Sequence, residues 1–71
     1  MDALYTRVRA LMDKLFPSDK PRALILSDEV TKMLRGTEVN TDWDKMSGDL
    51  FSSYVNVAMD YVAIVNPWLL R

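Results

Sequence analysis

The sequence predicts an all-α protein: a small three-helix domain with a long, broadly apolar C-terminal helix and a docked apolar tail. Three observations predict it. Residues 49–65 contain no Gly and no Pro, a run far longer than an ordinary strand. Apolar residues in the first and last segments recur at helical spacing rather than alternating. Pro17, Gly36 and Pro67, with polar residues beside them, cut the chain into helix-sized pieces. At 71 residues the chain makes a single domain, residues 1–71, near the lower limit for a self-sufficient core. It has no Cys, so neither a disulfide nor a thiolate metal site can support that core. A hydrophobic share of 49% argues against disorder.

The first helix is expected from Ala3 to Phe16, with Asp2 as its cap and Pro17 as its end. Leu4, Val8, Leu11, Met12 and Leu15 form its apolar stripe, flanked by Tyr5 and Phe16, while Arg7, Asp13 and Lys14 lie off it. Ser18-Asp19-Lys20-Pro21 reads as a connector.

Residues 22–35 admit two readings. Ala23, Leu26, Val30, Met33 and Leu34 fit one helix face, but Leu24 and Ile25 do not. Alternatively Ser27 caps a shorter helix from Asp28 to Arg35, with acids in its first turn, bases in its last and Gly36 as its C-terminal cap. Arg22 to Leu26 is then an extended or loosely helical approach with Leu24 and Ile25 buried, or a short edge strand with no evident strand to pair with. The preferred expectation is a break or bend near Ser27. A polar connector, Thr37 to Asn40 with Val39 inside it, follows.

The third helix has two candidate starts. Thr41-Asp42-Trp43-Asp44 offers a capping hydroxyl and first-turn carboxylates; Ser47-Gly48-Asp49 is the other. A helix begun at Asp42 holds Gly48 inside, at about 1 kcal/mol against Ala. Asn66, as a left-handed cap, and Pro67 end it. At 100° per residue, Leu50, Tyr54, Val57, Ala58, Tyr61, Ile64 and Val65 gather on one side, opposite Asp49, Ser52, Ser53, Asn56 and Asp60. With Phe51, Val55, Met59 and Val62 the apolar arc reaches roughly 220°, where a surface helix needs a stripe of about 100°. Begun at Asp42, the helix would be about 36 Å long, against a globule about 28 Å across. It is therefore expected to be the most buried element, packed from two sides or completed by a partner. The tail, Trp68-Leu69-Leu70-Arg71, is expected to fold back on the core or dock on a partner.

Chemistry finds little foothold. There is no His and no Cys, and no spacing signals another base for a Ser, Thr or Lys nucleophile. A catalytic site, a cofactor site and a metal site are each expected to be none. Asn40-x-Asp42-x-Asp44 opens like a calcium loop, but Lys45 stands where Gly is needed and Phe51 where a bidentate Glu is needed. Capping acids are the plainer reading. Neither Gly36 nor Gly48 lies in a phosphate loop. An acyl carrier's Asp-Ser-Leu attachment pattern is missing; Gly48-Asp49-Leu50 has no Ser there.

Net charge is −1, split as +2 over residues 1–36 and −3 over 37–71. Ser27 to Met46 can be drawn as helix, turn, helix, but the second helix would present Asp42 and Asp44 to phosphates, whereas affinity there comes from Lys and Arg. DNA contact through Arg7, Arg9, Lys20, Arg22, Lys32 and Arg35, as in a small transcriptional regulator, is the alternative function. A membrane-surface role ranks last, because the long helix is acidic. No apolar run is long enough to span a membrane, and no segment has a signal-peptide pattern. A cytoplasmic protein is expected.

Binding without chemistry has the best support. The expected function is a small non-enzymatic interaction module of the inhibitor, antitoxin or phage-accessory type. It would cover a surface on a larger protein and could also form a homodimer through the long helix. Trp43, Tyr54, Tyr61, Trp68, Leu69 and Leu70 are the candidate partner-binding residues, since large amphipathic aromatics are enriched at interface hot spots. For Tyr54 and Tyr61 the plainer reading is core. Trp43 and Trp68, flanking the helix, are better placed as surface anchors.

Overall fold

The computed structural model of the chain describes residues 2–37 and 41–70, with the side chain of Leu70 outside that description. Val39 and Asn40, named above for the connector and the calcium-like pattern, lie outside it, as does Arg71 of the tail. Three α-helices are present: α1 (Ala3–Leu15), α2 (Lys20–Thr37) and α3 (Gly48–Val65). A short 3-10 helix, Pro67–Leu70, follows. No strand occurs among the described residues.

The start of α1 is as its sequence suggests. The Asp2 carboxylate accepts from the Tyr5 amide at 3.4 Å, filling one of the donors that a helix start leaves open. Phe16 closes the helix, its amide bonded to the Met12 carbonyl at 2.9 Å. Leu4, Val8 and Met12 point inward. Leu15, placed in the stripe by periodicity, is half exposed at the helix end.

α2 corrects the expected break. It runs unbroken for 18 residues through Ser27, Gly36 and Thr37. Asp19 caps it, with Oδ1 accepting from the Arg22 amide at 3.1 Å. Pro21 falls in the first turn, where a missing N–H removes no helical bond. Ser27 is no cap: its hydroxyl donates to the Ala23 carbonyl at 2.6 Å, one turn back. That satisfies the group inside the helix and lets Ser27 be fully buried. Leu24 and Ile25, expected to be buried, lie half exposed off the inner face.

α3 starts at the later of its two candidates. The Ser47 hydroxyl accepts from the Leu50 amide at 3.2 Å, so Gly48 is the first helical residue and carries no interior penalty. Asp42 instead organises a separate turn, its Oδ1 accepting from the amides of Asp44 and Lys45 at 3.2 and 3.3 Å. At 18 residues α3 equals α2. It spans about 27 Å, within the protein's 32 Å long axis. The expected excess length is therefore absent. Asn66 ends α3 at φ −131°, not in the left-handed region, and Pro67 follows.

The core joins the inner faces of all three helices: Leu4, Val8 and Met12; Ala23, Leu26, Val30 and Leu34; Phe51, Val55, Ala58 and Val62. α2, not α3, is the central element. It packs against α1, α3 and the 3-10 turn, and it buries six residues where α3 buries four. Each fully buried aliphatic here contributes about 1.5–3 kcal/mol by leaving water. The tail docks through Leu69, which packs on this core.

Candidate protein-binding face

α3 carries two parallel apolar seams. The inner one is Phe51, Val55, Ala58 and Val62. The outer one is Leu50, Tyr54, Val57, Tyr61 and Ile64, at successive spacings of four, three, four and three. That is the spacing of a helix packing against another helix. Yet Leu50 is 50% exposed, Val57 70%, Tyr61 52% and Ile64 78%. Val65, at 52%, and Trp68, at 64%, extend the apolar surface at the C-terminal end.

Periodicity points Leu50, Tyr54, Val57 and Tyr61 inward, and the helix is instead rolled by about 100° within its apolar arc, so that Phe51, Val55, Ala58 and Val62 face the core. The reason is chemical. The inner seam is wholly apolar. The outer seam carries the two tyrosines, whose hydroxyls need water or a polar partner. Phe51 is also held from outside the helix. The Trp43 ring meets it edge-on at 6.3 Å, and the Arg7 guanidinium sits 4.3 Å from its ring centroid.

The six residues expected to bind a partner separate into three groups. Tyr61 and Trp68 are exposed. Tyr54 is half-buried on the outer seam, with Trp43 packed edge-on against it at 5.6 Å and 82°. Trp43 is itself half-buried on the core, so it backs the face rather than standing out from it. Leu69 is turned to the core. The side chain of Leu70 lies outside the described residues. Leu50, Val57 and Ile64 belong to the face and were absent from the sequence-derived set. Their four-three spacing in register with Tyr54 and Tyr61 is the signal that finds them.

Beside the outer seam runs an open groove of about 630 Å³ between α2 and α3. Met33, Gly36 and Thr37 line it from α2; Tyr54, Val57, Ala58 and Tyr61 line it from α3. Gly36 on the α2 rim faces open space, since a Cβ there would meet nothing within 4 Å. The charges of α3, Asp49 and Asp60, lie to one side of the seam, and the helix has no basic residue.

The basic side chains of the alternative reading are engaged within the chain. Arg9 and Lys20 both reach Asp13, at 3.2 and 3.6 Å, and Arg22 reaches Asp19 at 3.3 Å. Lys32 approaches Glu29 at 3.9 Å, and Arg35 pairs with Asp2. Arg7 donates to the Trp43 and Met46 carbonyls, both at 2.8 Å. The carboxyls of Asp13 and Asp2 are held below the usual carboxylate value, chiefly by hydrogen bonds from Arg9 and Arg35.

Among the described residues no three His, Cys, Asp or Glu side chains gather where a metal ion could be held. Nor is any described helix long and apolar enough to cross a membrane. Comparison with protein-family models, with curated proteins and with solved structures returns no match.

Proposed function

We propose that the protein acts by binding another protein through the outer face of α3, without performing chemistry. The observation that carries this reading is the contiguous row Leu50, Val57, Tyr61 and Ile64, each at least half exposed on a helix whose other seam already fills the core. Stretches of apolar surface this continuous on small proteins mark interaction sites. The row also has anchor chemistry at its centre: two tyrosines, one of them braced by a tryptophan. The groove alongside would admit a helix or an extended segment from the partner. Such a small domain would work by occlusion, in the manner of an inhibitor, an antitoxin or a phage-encoded accessory factor. A cytoplasmic setting suits a chain without Cys.

DNA contact draws less support. Five of its six basic side chains sit beside carboxylates that offset their charge, and Arg7 is bonded to carbonyls within the fold.

The test is affinity purification of the tagged chain from its own cells, beside a Val57→Arg, Ile64→Arg variant. Both positions are exposed, so the variant keeps its core. A protein recovered at stoichiometric yield with the parent and lost with the variant supports the reading. Recovery of the same partner with both chains would place binding elsewhere.

A further inference from the structure

We propose that the occupant of this face is a second copy of the chain, with the two α3 helices packed antiparallel across a two-fold axis. The inference rests on the reading of the face as a protein-binding surface and names its partner.

The pattern of the seam carries it. Written as a heptad, Tyr54 and Tyr61 take one core position, and Leu50, Val57 and Ile64 take the other. One position is aromatic throughout and the other aliphatic throughout. In a parallel pair, like meets like: ring would stack on ring in one layer and short aliphatic would face short aliphatic in the next, so layers alternate between crowded and hollow. In an antiparallel pair the two positions face each other. Tyr54 then lies beside the second copy's Ile64, and Val57 beside the second copy's Tyr61. Every layer holds one ring and one branched aliphatic, and the layers have equal volume. The same contacts recur on both sides of the axis, as an isologous interface requires. Antiparallel packing also sets the helix dipoles in opposition.

The area agrees. The exposed apolar side chains of the face offer roughly 600 Å² per copy, so a pair buries about 1,200 Å², the lower edge of stable interfaces. An interface at that edge suits a monomer and dimer in exchange. Asp60 flanks the seam close to the axis and would face its own counterpart there, and like charges so placed oppose association.

Sedimentation equilibrium of the full chain, from low micromolar to near-millimolar concentration, is the first measurement. The expected result is a rise from 8.2 kDa towards twice that mass. Val57→Arg should weaken association about thirtyfold or more, with helical circular dichroism unchanged. Asp60→Asn should tighten it several-fold. Orientation is read by disulfide exchange, since the chain has no cysteine of its own. Val57→Cys mixed with Tyr61→Cys should give mainly the crossed disulfide. A predominance of Val57→Cys homodimers would overturn the antiparallel arrangement. A chain monomeric at every concentration would overturn self-association while leaving the face open to a different protein. A dimer indifferent to Val57→Arg would overturn this inference, since self-association would then use another surface, while the reading of the face beneath it falls only if a partner is recovered equally with the Val57→Arg, Ile64→Arg variant.

Discussion

The guanidinium of Arg7 lies 4.3 Å from the centroid of the Phe51 ring and, from that position, donates to the Trp43 and Met46 carbonyls at 2.8 Å each. One side chain on α1 thus fixes the turn before α3 and covers a ring of α3's inner seam. Two hydrogen bonds from a charged donor, added to a cation–π contact, make Arg7 structural. Arg7→Leu should lower stability by about 2 kcal/mol, read as a drop in the urea midpoint. Arg7→Lys should recover less than half, because both bonds leave one nitrogen, Nη1, while the rest of the planar guanidinium covers the Phe51 ring, and an ammonium placed on the two carbonyls leaves that ring uncovered. Equal stability of the Lys variant and the parent would mean the contact is only a charge.

Thr31 is the core's one polar defect among the described residues. Its hydroxyl is buried without a hydrogen-bond partner, while Ser27 one turn earlier is satisfied by Ala23. An unpaired buried hydroxyl costs about 1–3 kcal/mol. Thr31→Val keeps the shape and removes the orphan, so it should stabilise the protein by about 1 kcal/mol and raise Tm by about 4–8 °C. Ser27→Val should do the opposite, since it adds volume at a position with no exposure. A Thr31→Val protein that melts at or below the parent's temperature would show that the hydroxyl has a partner in solution.

Much of this fold was legible in the chain, and where legibility failed the reasons are local. Three helices, the Asp2 cap, the stop at Pro17 and the stop at Pro67 all follow from short-range signals. Ser27 misled because a serine followed by Asp28 and Glu29 looks like a helix start. The bond to Ala23 that makes it an interior residue uses the same hydroxyl, and no sequence pattern separates the two uses. The roll of α3 was undetermined for a different reason. An apolar arc of roughly 220° satisfies several orientations equally. The seam that faces the core is the one with no polar group to satisfy, and Arg7, nearly forty positions upstream of the carbonyls it binds, covers the Phe51 ring of that seam. Trp68, expected at the surface, is exposed, whereas Tyr61, for which core is the plainer expectation, is half exposed. Leu50, Val57 and Ile64 were assigned to the buried side, because exposure of aliphatics becomes visible only once the inner seam is known.

Gly36 gives a second stabilising change, at a place the face can tolerate. It lies in the last turn of α2 with no positive φ, and a Cβ there would meet nothing within 4 Å. Gly36→Ala should therefore stabilise by about 0.4–1 kcal/mol, mainly by restricting the unfolded chain. Thermal melts at fixed protein concentration read the gain. Gly36→Trp should keep that stability roughly intact while filling the groove beside Val57 and Tyr61, so a loss of partner binding without a loss of Tm would tie the groove to recognition. A fall in Tm with Gly36→Ala would contradict the open space at this position.

The acid limb of stability should be set in part by two arginine–carboxylate pairs, Arg35–Asp2 between α2 and the start of α1 and Arg9–Asp13 within α1. Hydrogen bonding to Arg35 holds the Asp2 carboxyl below its ordinary value of 3.8, and hydrogen bonding to Arg9 does the same for Asp13, with Lys20 of α2 adding to it. A carboxyl whose folded pKa is depressed binds its proton more readily in the unfolded chain. Its contribution is complete above the ordinary value and is lost as pH falls through the lower folded value. Between about pH 5 and 7 these pairs should leave Tm flat, and below about pH 4 Tm should fall. An Arg9→Gln, Arg35→Gln variant should start lower and fall less over the same interval, so the two melting curves converge in acid. Both pairs are solvent-accessible, so half-molar salt should narrow the gap at neutral pH. Parallel acid limbs for parent and variant would show that the two arginines add nothing to the fold.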